Sequence, residues 1–369
     1  MEKIIRELIA TSKGNAITFN KFMETVLYHP VKGYYSQPVN KIGSDGDFYT
    51  SSNVGSVFGR VLGRWILEVF DKTNLPFQIV EIGGGTGKIA SDLLAFIQEH
   101  SPDVADKIQY TIVETSEYHQ NLQRQRLQEF KAVTFVQSLE SLIDFKGIVF
   151  SNELFDAFPV HIIEKKEGKL YEVFVIEENG LGEKLQELQD PSIFTYLQKY
   201  NVILHEGQRI EIPLMMEHYF SSLLDKIIQA VLLTFDYGYT AEEWSLPEHR
   251  LGSLRGYYKH TMIDNPYTYI GEMDLTTHIH FDTLLKFGRE NGVRSDCLLE
   301  QSRFLLQAGI LEELQESYDP NPFSEISKRN RAVRDMLLPG GISSYFRTLI
   351  QIKGLSMDVN ELFSYNTYR

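Results

Sequence analysis

Phe77-Gln78-Ile79-Val80-Glu81-Ile82-Gly83-Gly84-Gly85-Thr86-Gly87-Lys88-Ile89-Ala90-Ser91-Asp92-Leu93-Leu94 decides the fold of this 369-residue chain. Ile79, Val80 and Ile82 form the β-branched apolar run of a buried parallel strand. Gly83, Gly84, Gly85 and Gly87 make a turn at which a ligand can approach bare backbone. Beyond Thr86, apolar residues recur at Ile89, Leu93, Leu94 and Ile97, the spacing of a helix with one core-facing stripe. A strand, a glycine turn and a helix in succession place free N–H groups at a helix start, on the carboxyl edge of a sheet. Open α/β sheets bind nucleotides there.

The spacing of the glycines narrows the choice of nucleotide. A phosphate-cradling loop needs Gly five residues before its Gly-Lys pair and Ser or Thr after the Lys. Here those positions hold Ile82 and Ile89. A dinucleotide fingerprint would put its third glycine at Lys88. What remains is E-x-G-x-G-x-G over Glu81, Gly83, Gly85 and Gly87, which resembles the first motif of class I S-adenosyl-L-methionine (AdoMet) methyltransferases.

Working outward, Tyr110-Thr111-Ile112-Val113-Glu114 reads as a second strand ending in a carboxylate. One carboxylate can accept hydrogen bonds from both ribose hydroxyls. Glu114 is therefore the ribose candidate, and a solvated strand end is the alternative. Ser116 is placed to cap a helix with a stripe of Tyr118, Leu122 and Leu127. Val133–Val136 is a third strand, with Ser138 and Leu139 after it as the adenine-side candidates. Gly147–Ser151 is a fourth, running into Asn152-Glu153-Leu154-Phe155-Asp156-Ala157-Phe158-Pro159-Val160. Val231–Asp236 is a fifth, and Val293–Leu299 with Tyr345–Ile352 completes the set. Alternation with helices predicts a doubly wound, mostly parallel α/β sheet.

The expected organisation has four parts. Residues 1–53 form an N-terminal helical and lid segment, and 54–159 the first part of the core. Residues 160–213 form a β-rich insertion, and 214–369 the second part of the core. A long substrate-side loop spans 237–273, and its tyrosines argue against disorder. The segment 33–51 is read either as a lid over the ligand or as packing on the core.

Composition excludes several classes. One cysteine, Cys297, rules out a disulfide framework and a multi-cysteine zinc site. His278-x-His280 lacks an evident third ligand, so no metal is expected. No apolar run is long enough to span a bilayer. The start of the chain reads as a short amphipathic helix, which predicts a cytoplasmic protein. A formal charge of −14 opposes nucleic acid and suits a cationic partner.

Five motifs in one order carry a more specific resemblance. They are Gly46–Ser51, Glu81–Gly87, Asn152–Val160, Phe235-Asp236-Tyr237-Gly238 and Gly271–His278. Together they resemble the MidA family of class I methyltransferases, which includes a mitochondrial assembly factor that methylates an arginine of a respiratory complex I subunit. One departure stands out: the family often carries Gly-Pro-Gly-Arg-Gly at the turn, where this chain has Gly-Gly-Gly-Thr-Gly.

The resemblance implies a seven-stranded Rossmann-like sheet with helices on both faces. It implies AdoMet at the turn and at Glu114, with S-adenosyl-L-homocysteine as product. It places Asn152 and Glu153 near the transferred methyl and makes a protein arginine the expected acceptor. Glu153 and Asp156 are the candidates to grip the guanidinium, with Asp156 alternatively a helix cap. Methyl transfer to a small molecule, and AdoMet binding by an assembly factor without turnover, are the competing readings.

Overall fold

The computed structural model describes residues 1–37, 55–315, 321–338, 340 and 345–364. The Gly46–Ser51 motif, and with it Phe48 and Tyr49 of the expected lid, lies outside the described residues. The chain divides into two compact units. One comprises Tyr49–Leu154, Ser222–Tyr237 and Gly288–Arg369; the other comprises Met1–Phe48, Phe155–Ser221 and Gly238–Phe287.

The first of these holds a sheet in which seven strands lie in the spatial order Val293–Glu300, Phe346–Lys353, Ile227–Tyr239, Phe145–Asn152, Gln78–Ile82, Gln109–Val113, Val133–Val136. The last five are parallel neighbours. Phe346–Lys353 runs antiparallel to the strands on both its sides. The strand order reverses between Gln78–Ile82 and Phe145–Asn152, which makes the carboxyl edge there the expected ligand crevice.

The core of this unit follows from the apolar stripes. Val57–Lys72 is a helix that buries Val57, Val61, Leu62, Trp65 and Val69. Lys88–His100 buries Ile89, Leu93, Leu94 and Ile97. Both pack in one cluster with Ile79, Ile112, Ile148, Val231 and Ile350 from the strands. The two helices approach closely because Gly59 and Gly63 face the second helix. A Cβ on Gly59 would lie 2.6 Å from Asp92 Cβ and 3.1 Å from the Ile89 carbonyl oxygen. One on Gly63 would lie 3.1 Å from the Leu93 carbonyl oxygen. This contact seats the helix that begins at the glycine turn.

The other unit contains helices Glu2–Thr11 and Phe19–Tyr28, the latter capped by Thr18, whose side chain accepts from Lys21 N. Its larger sheet joins Ala16–Thr18, Lys169–Glu177, His161–Lys166 and Arg209–Ile212, with Leu181–Glu187 on the free side of Lys169–Glu177. The β-rich stretch thus takes a strand from the N-terminal segment. The sheet is covered on both faces: Ile162, Val173 and Val175 pack with Phe19, Phe22 and Met23, while Ile163, Ile210 and Ile212 pack with Tyr196 and Trp244.

The stretch expected as a long loop at 237–273 is partly ordered. Arg255–Tyr258 pairs with Thr261–Ile263 and with Asp274–Thr276 in a three-stranded sheet. Its strands have three or four residues, too short for periodicity to reveal. Among the described residues no helix is long and apolar enough to cross a membrane.

The helix contact yields a stability expectation. Gly59→Val must push the helix Lys88–His100 away and should cost about 2 kcal/mol, within the range for overpacked interiors. Urea unfolding measures this. A variant as stable as the parent would contradict the close contact.

Candidate active site

At the carboxyl edge of this unit's sheet, four chain segments end at one level. Ile82 pairs with Val113 on one side and with Ser151 on the other. Val113 pairs with Val136, and Asn152 with Phe235. The register therefore brings the glycine turn, Glu114, Ser138 with Leu139, and Asn152 with Glu153 to the same edge. Ser138 is exposed, and Leu139 is buried at the start of a one-turn helix.

The turn opens with the Gly83 amide donating to Val113 O at 2.9 Å, one step beyond the last strand residue. Gly87 caps the following helix with φ +74°. A side chain there would be strained, and its Cβ would lie 3.2 Å from Gln123 Cγ. Thr86 stands where the family's usual turn carries an arginine. Here a guanidinium reaches that place from another element, because Arg126 Nη1 donates to Thr86 Oγ1 at 2.9 Å.

Glu114 is 8% exposed. Its Oε1 accepts from the Ser116 amide at 2.8 Å, and its Oε2 from Gln123 Nε2 at 3.4 Å. Its backbone oxygen accepts from Gln120 Nε2 at 2.7 Å. Burial pushes its carboxyl up, and the N–H groups of Ser116 and Gln123 oppose that rise. The helix Glu117–Arg126 buries His119, Gln120 and Gln123, not the expected stripe of Tyr118, Leu122 and Leu127; of those three, only Leu127, its C-cap, is buried. Gln120 and Gln123 turn to the polar edge, so amides occupy buried positions there.

Glu81 lies beneath the turn. It is 2% exposed and accepts from Tyr110 Oη at 2.7 Å. Burial lifts its carboxyl to about 7 against the pull of the Tyr110 hydroxyl, and the nearby Glu114 charge adds to the rise.

Glu153 has φ +52°, a left-handed backbone that a glutamate rarely adopts. Its amide donates to Phe235 O at 2.8 Å, and its Oε1 accepts from Asn152 Nδ2 at 3.0 Å. Asn152 Oδ1 is buried with no hydrogen-bond partner among the described residues. Strain of this kind concentrates at functional positions.

Asp156 belongs to the other unit. It is 6% exposed; its Oδ2 accepts from the Thr276 hydroxyl at 2.8 Å, and its backbone oxygen accepts from the Thr277 amide at 2.9 Å. No helix follows it, so the expected cap is absent and the carboxylate is tied to Thr276 instead. His278 stacks on Tyr239, and His280 Nδ1 meets the Tyr196 hydroxyl at 3.2 Å. Among the described residues no group of three or more His, Cys, Asp or Glu side chains is arranged to hold a metal ion.

Bare backbone at the turn and a carboxylate at the neighbouring strand end fit an adenosyl cofactor. Comparison with known proteins agrees. Residues 61–298 match the sequence profile of a family described as "Putative S-adenosyl-L-methionine-dependent methyltransferase". The chain belongs to that family. AdoMet is accordingly its methyl donor, and the resemblance to MidA proteins is borne out. The chain is 26% identical over 367 residues to "Protein arginine methyltransferase NDUFAF7, mitochondrial" of Homo sapiens, covering 91% of this chain and 80% of that one. The counterpart from Rattus norvegicus is 28% identical over 335 residues, covering 83% and 74%. A crystal structure of a superfamily member from Burkholderia thailandensis, bound to S-adenosyl-homocysteine, superposes with a TM-score of 0.87. It is 24% identical and covers 99% of this chain and 94% of that one, which establishes the shared fold.

Two expectations follow for this methyltransferase. Glu114→Ala should remove hydrogen bonds to two ribose hydroxyls and weaken S-adenosyl-homocysteine binding by about 2–3 kcal/mol, roughly 30–150-fold. Titration calorimetry with unchanged affinity would contradict the ribose assignment. Glu81 supplies a pH dependence. Its folded value of about 7 lies above the ordinary 4.5, so folding favours the protonated acid. The resulting stability is full below about pH 4.5 and is lost as pH rises to about 7, a change of roughly 2–3 kcal/mol. Glu81→Gln cannot ionise, so its unfolding free energy should fall less over that window. Urea titrations at pH 5 and 7 that show equal falls would contradict the buried acid.

Proposed function

We propose that the chain transfers methyl from AdoMet to an arginine nitrogen of a protein substrate, with Glu153 positioning the acceptor. The observation that carries this reading is the backbone of Glu153. A left-handed glutamate, held through its amide by Phe235 O and through its carboxylate by Asn152, fixes one negative charge at the carboxyl edge. The arginine methyltransferase relatives support the choice of acceptor, and the formal charge of −14 favours approach of a basic segment.

The chemistry asks for such a group. A guanidinium stays protonated at a pKa of roughly 12.5–13.8, and its nitrogens share one delocalised charge. Methylation needs a lone pair on one of them. A carboxylate that takes two N–H groups in the bidentate geometry Arg prefers draws the charge to that side and frees the opposite nitrogen. The sulfonium of the bound donor supplies an electrophilic methyl. What this chain adds is alignment of the acceptor. Asn152 Nδ2 keeps the carboxylate from rotating away.

Glu153→Gln keeps the shape and removes the charge. Folding and cofactor binding should persist while transfer falls by about 10²-fold, near 3 kcal/mol of transition-state stabilisation. Glu153→Gly should abolish transfer yet gain about 1 kcal/mol in stability by relieving the backbone. Single-turnover transfer of labelled methyl to protein from a strain lacking the enzyme reads both. Label on lysine, on carboxylate or on a small metabolite would overturn the arginine assignment. Transfer by Glu153→Gln at the parent's rate would overturn the role of Glu153.

A further inference from the structure

We propose that Gln123 is a positioning residue for the cofactor, setting the spacing between the glycine turn and the ribose carboxylate. It is 0% exposed. Its Nε2 donates to the Gly85 carbonyl oxygen at 2.9 Å and lies 3.4 Å from Glu114 Oε2. One amide nitrogen thus uses its two hydrogens on the two halves of the adenosyl site, one on the turn and one on the acid.

The same side chain accounts for Gly87 and, together with Ile112 and Glu81, crowds Gly84. A Cβ on Gly84 would come within 3.3 Å of Gln123 Nε2, and one on Gly87 within 3.2 Å of its Cγ. The turn is therefore moulded on this glutamine as well as on the ligand. The other end of the amide is costly, because Oε1 is buried and has no hydrogen-bond partner among the described residues. A methionine would occupy the same space without that cost. What it cannot do is donate to Gly85 and Glu114. The N–H on Glu114 also favours the ionised carboxylate, the form that accepts from two hydroxyls. Gln120, one turn earlier, holds the backbone of Glu114 at 2.7 Å, so the two amides fix the acid at both main chain and side chain.

The inference rests on the assignment of Glu114 to the ribose, and a double-mutant cycle separates the two. S-adenosyl-homocysteine affinity is measured by calorimetry for the parent, Gln123→Met, Glu114→Ala and the double variant, from pH 5.5 to 8. Gln123→Met should lose about tenfold at pH 8. Its affinity should also begin to fall at a higher pH than the parent's, because Glu114 has lost a group that keeps it ionised. The double variant should bind no more weakly than Glu114→Ala. Losses that multiply, or an acid limb that does not move, overturn the positioning role and leave the ribose assignment standing. Unchanged affinity in Glu114→Ala overturns both. Should Gln123→Met fail to fold, Gln123→Glu carries the test. It keeps length and acceptor, faces Glu114 with a second carboxyl, and should bind at least about tenfold more weakly at pH 8, recovering on acidification. Parent-like binding by Gln123→Glu at pH 8 overturns the proposal.

Discussion

Everything at the carboxyl edge depends on the register in which Gln78–Ile82 is hydrogen-bonded on both sides. Ile82 lies opposite Val113 and Ser151, so Gly83, Glu114 and Asn152 each begin one residue later at a common level. Side chains in a strand alternate between faces and both faces here are buried, so a slip of one residue in either ladder would exchange the residues packed on the two faces. Burial of Ile79, Val80, Ile112, Ile148 and Val149 fixes that register. The chemistry of the site is thereby positioned by apolar packing several ångströms away. The Gly59 and Gly63 contact does the same for the helix that leaves the turn.

The edge itself works against stability. Glu81 is a carboxyl held out of water, Gln123 has an amide oxygen without a partner among the described residues, and Glu153 keeps a left-handed backbone. Each departs from what local physics favours, and all three lie in the same small region of one unit. Natural proteins violate their own rules mostly where they act. In contrast, the paired carboxylate Glu313, held by Arg60, Arg64 and Arg329, is fully satisfied and serves the packing of its unit. Buried charge alone would not have distinguished these two places. The left-handed backbone of Glu153 at the edge does.

The glycine turn and the strands around it were legible because several signals agree there. β-branched runs, glycine spacing and an apolar stripe all describe one strand–turn–helix unit, and the burial of Ile79, Leu93 and Trp65 matches. Gln123 was not legible. Periodicity looks for apolar residues, and the buried face of Glu117–Arg126 is made of His119, Gln120 and Gln123. The only hint was the excess of glycine at the turn, which something bulky had to require. Short strands escaped for another reason. Ala16–Thr18 and Asp274–Thr276 have three residues each, and their partners are remote in sequence. The left-handed backbone of Glu153 is likewise invisible to composition, since the amide of a glutamate is held there by Phe235, far along the chain.

Methylation of arginine in protein by this edge leaves a mark on the proteome. It is tested most directly by mass spectrometry of the proteome in cells with and without the chain, with the gene restored on a plasmid as parent or as Glu153→Gln. The proposed activity requires at least one arginine that carries methyl groups in parental cells, loses them when the chain is absent, and regains them with the parent but not with Glu153→Gln. A proteome whose methylarginine sites are the same in all strains, with methylation lost at another residue type or on a metabolite, would contradict it.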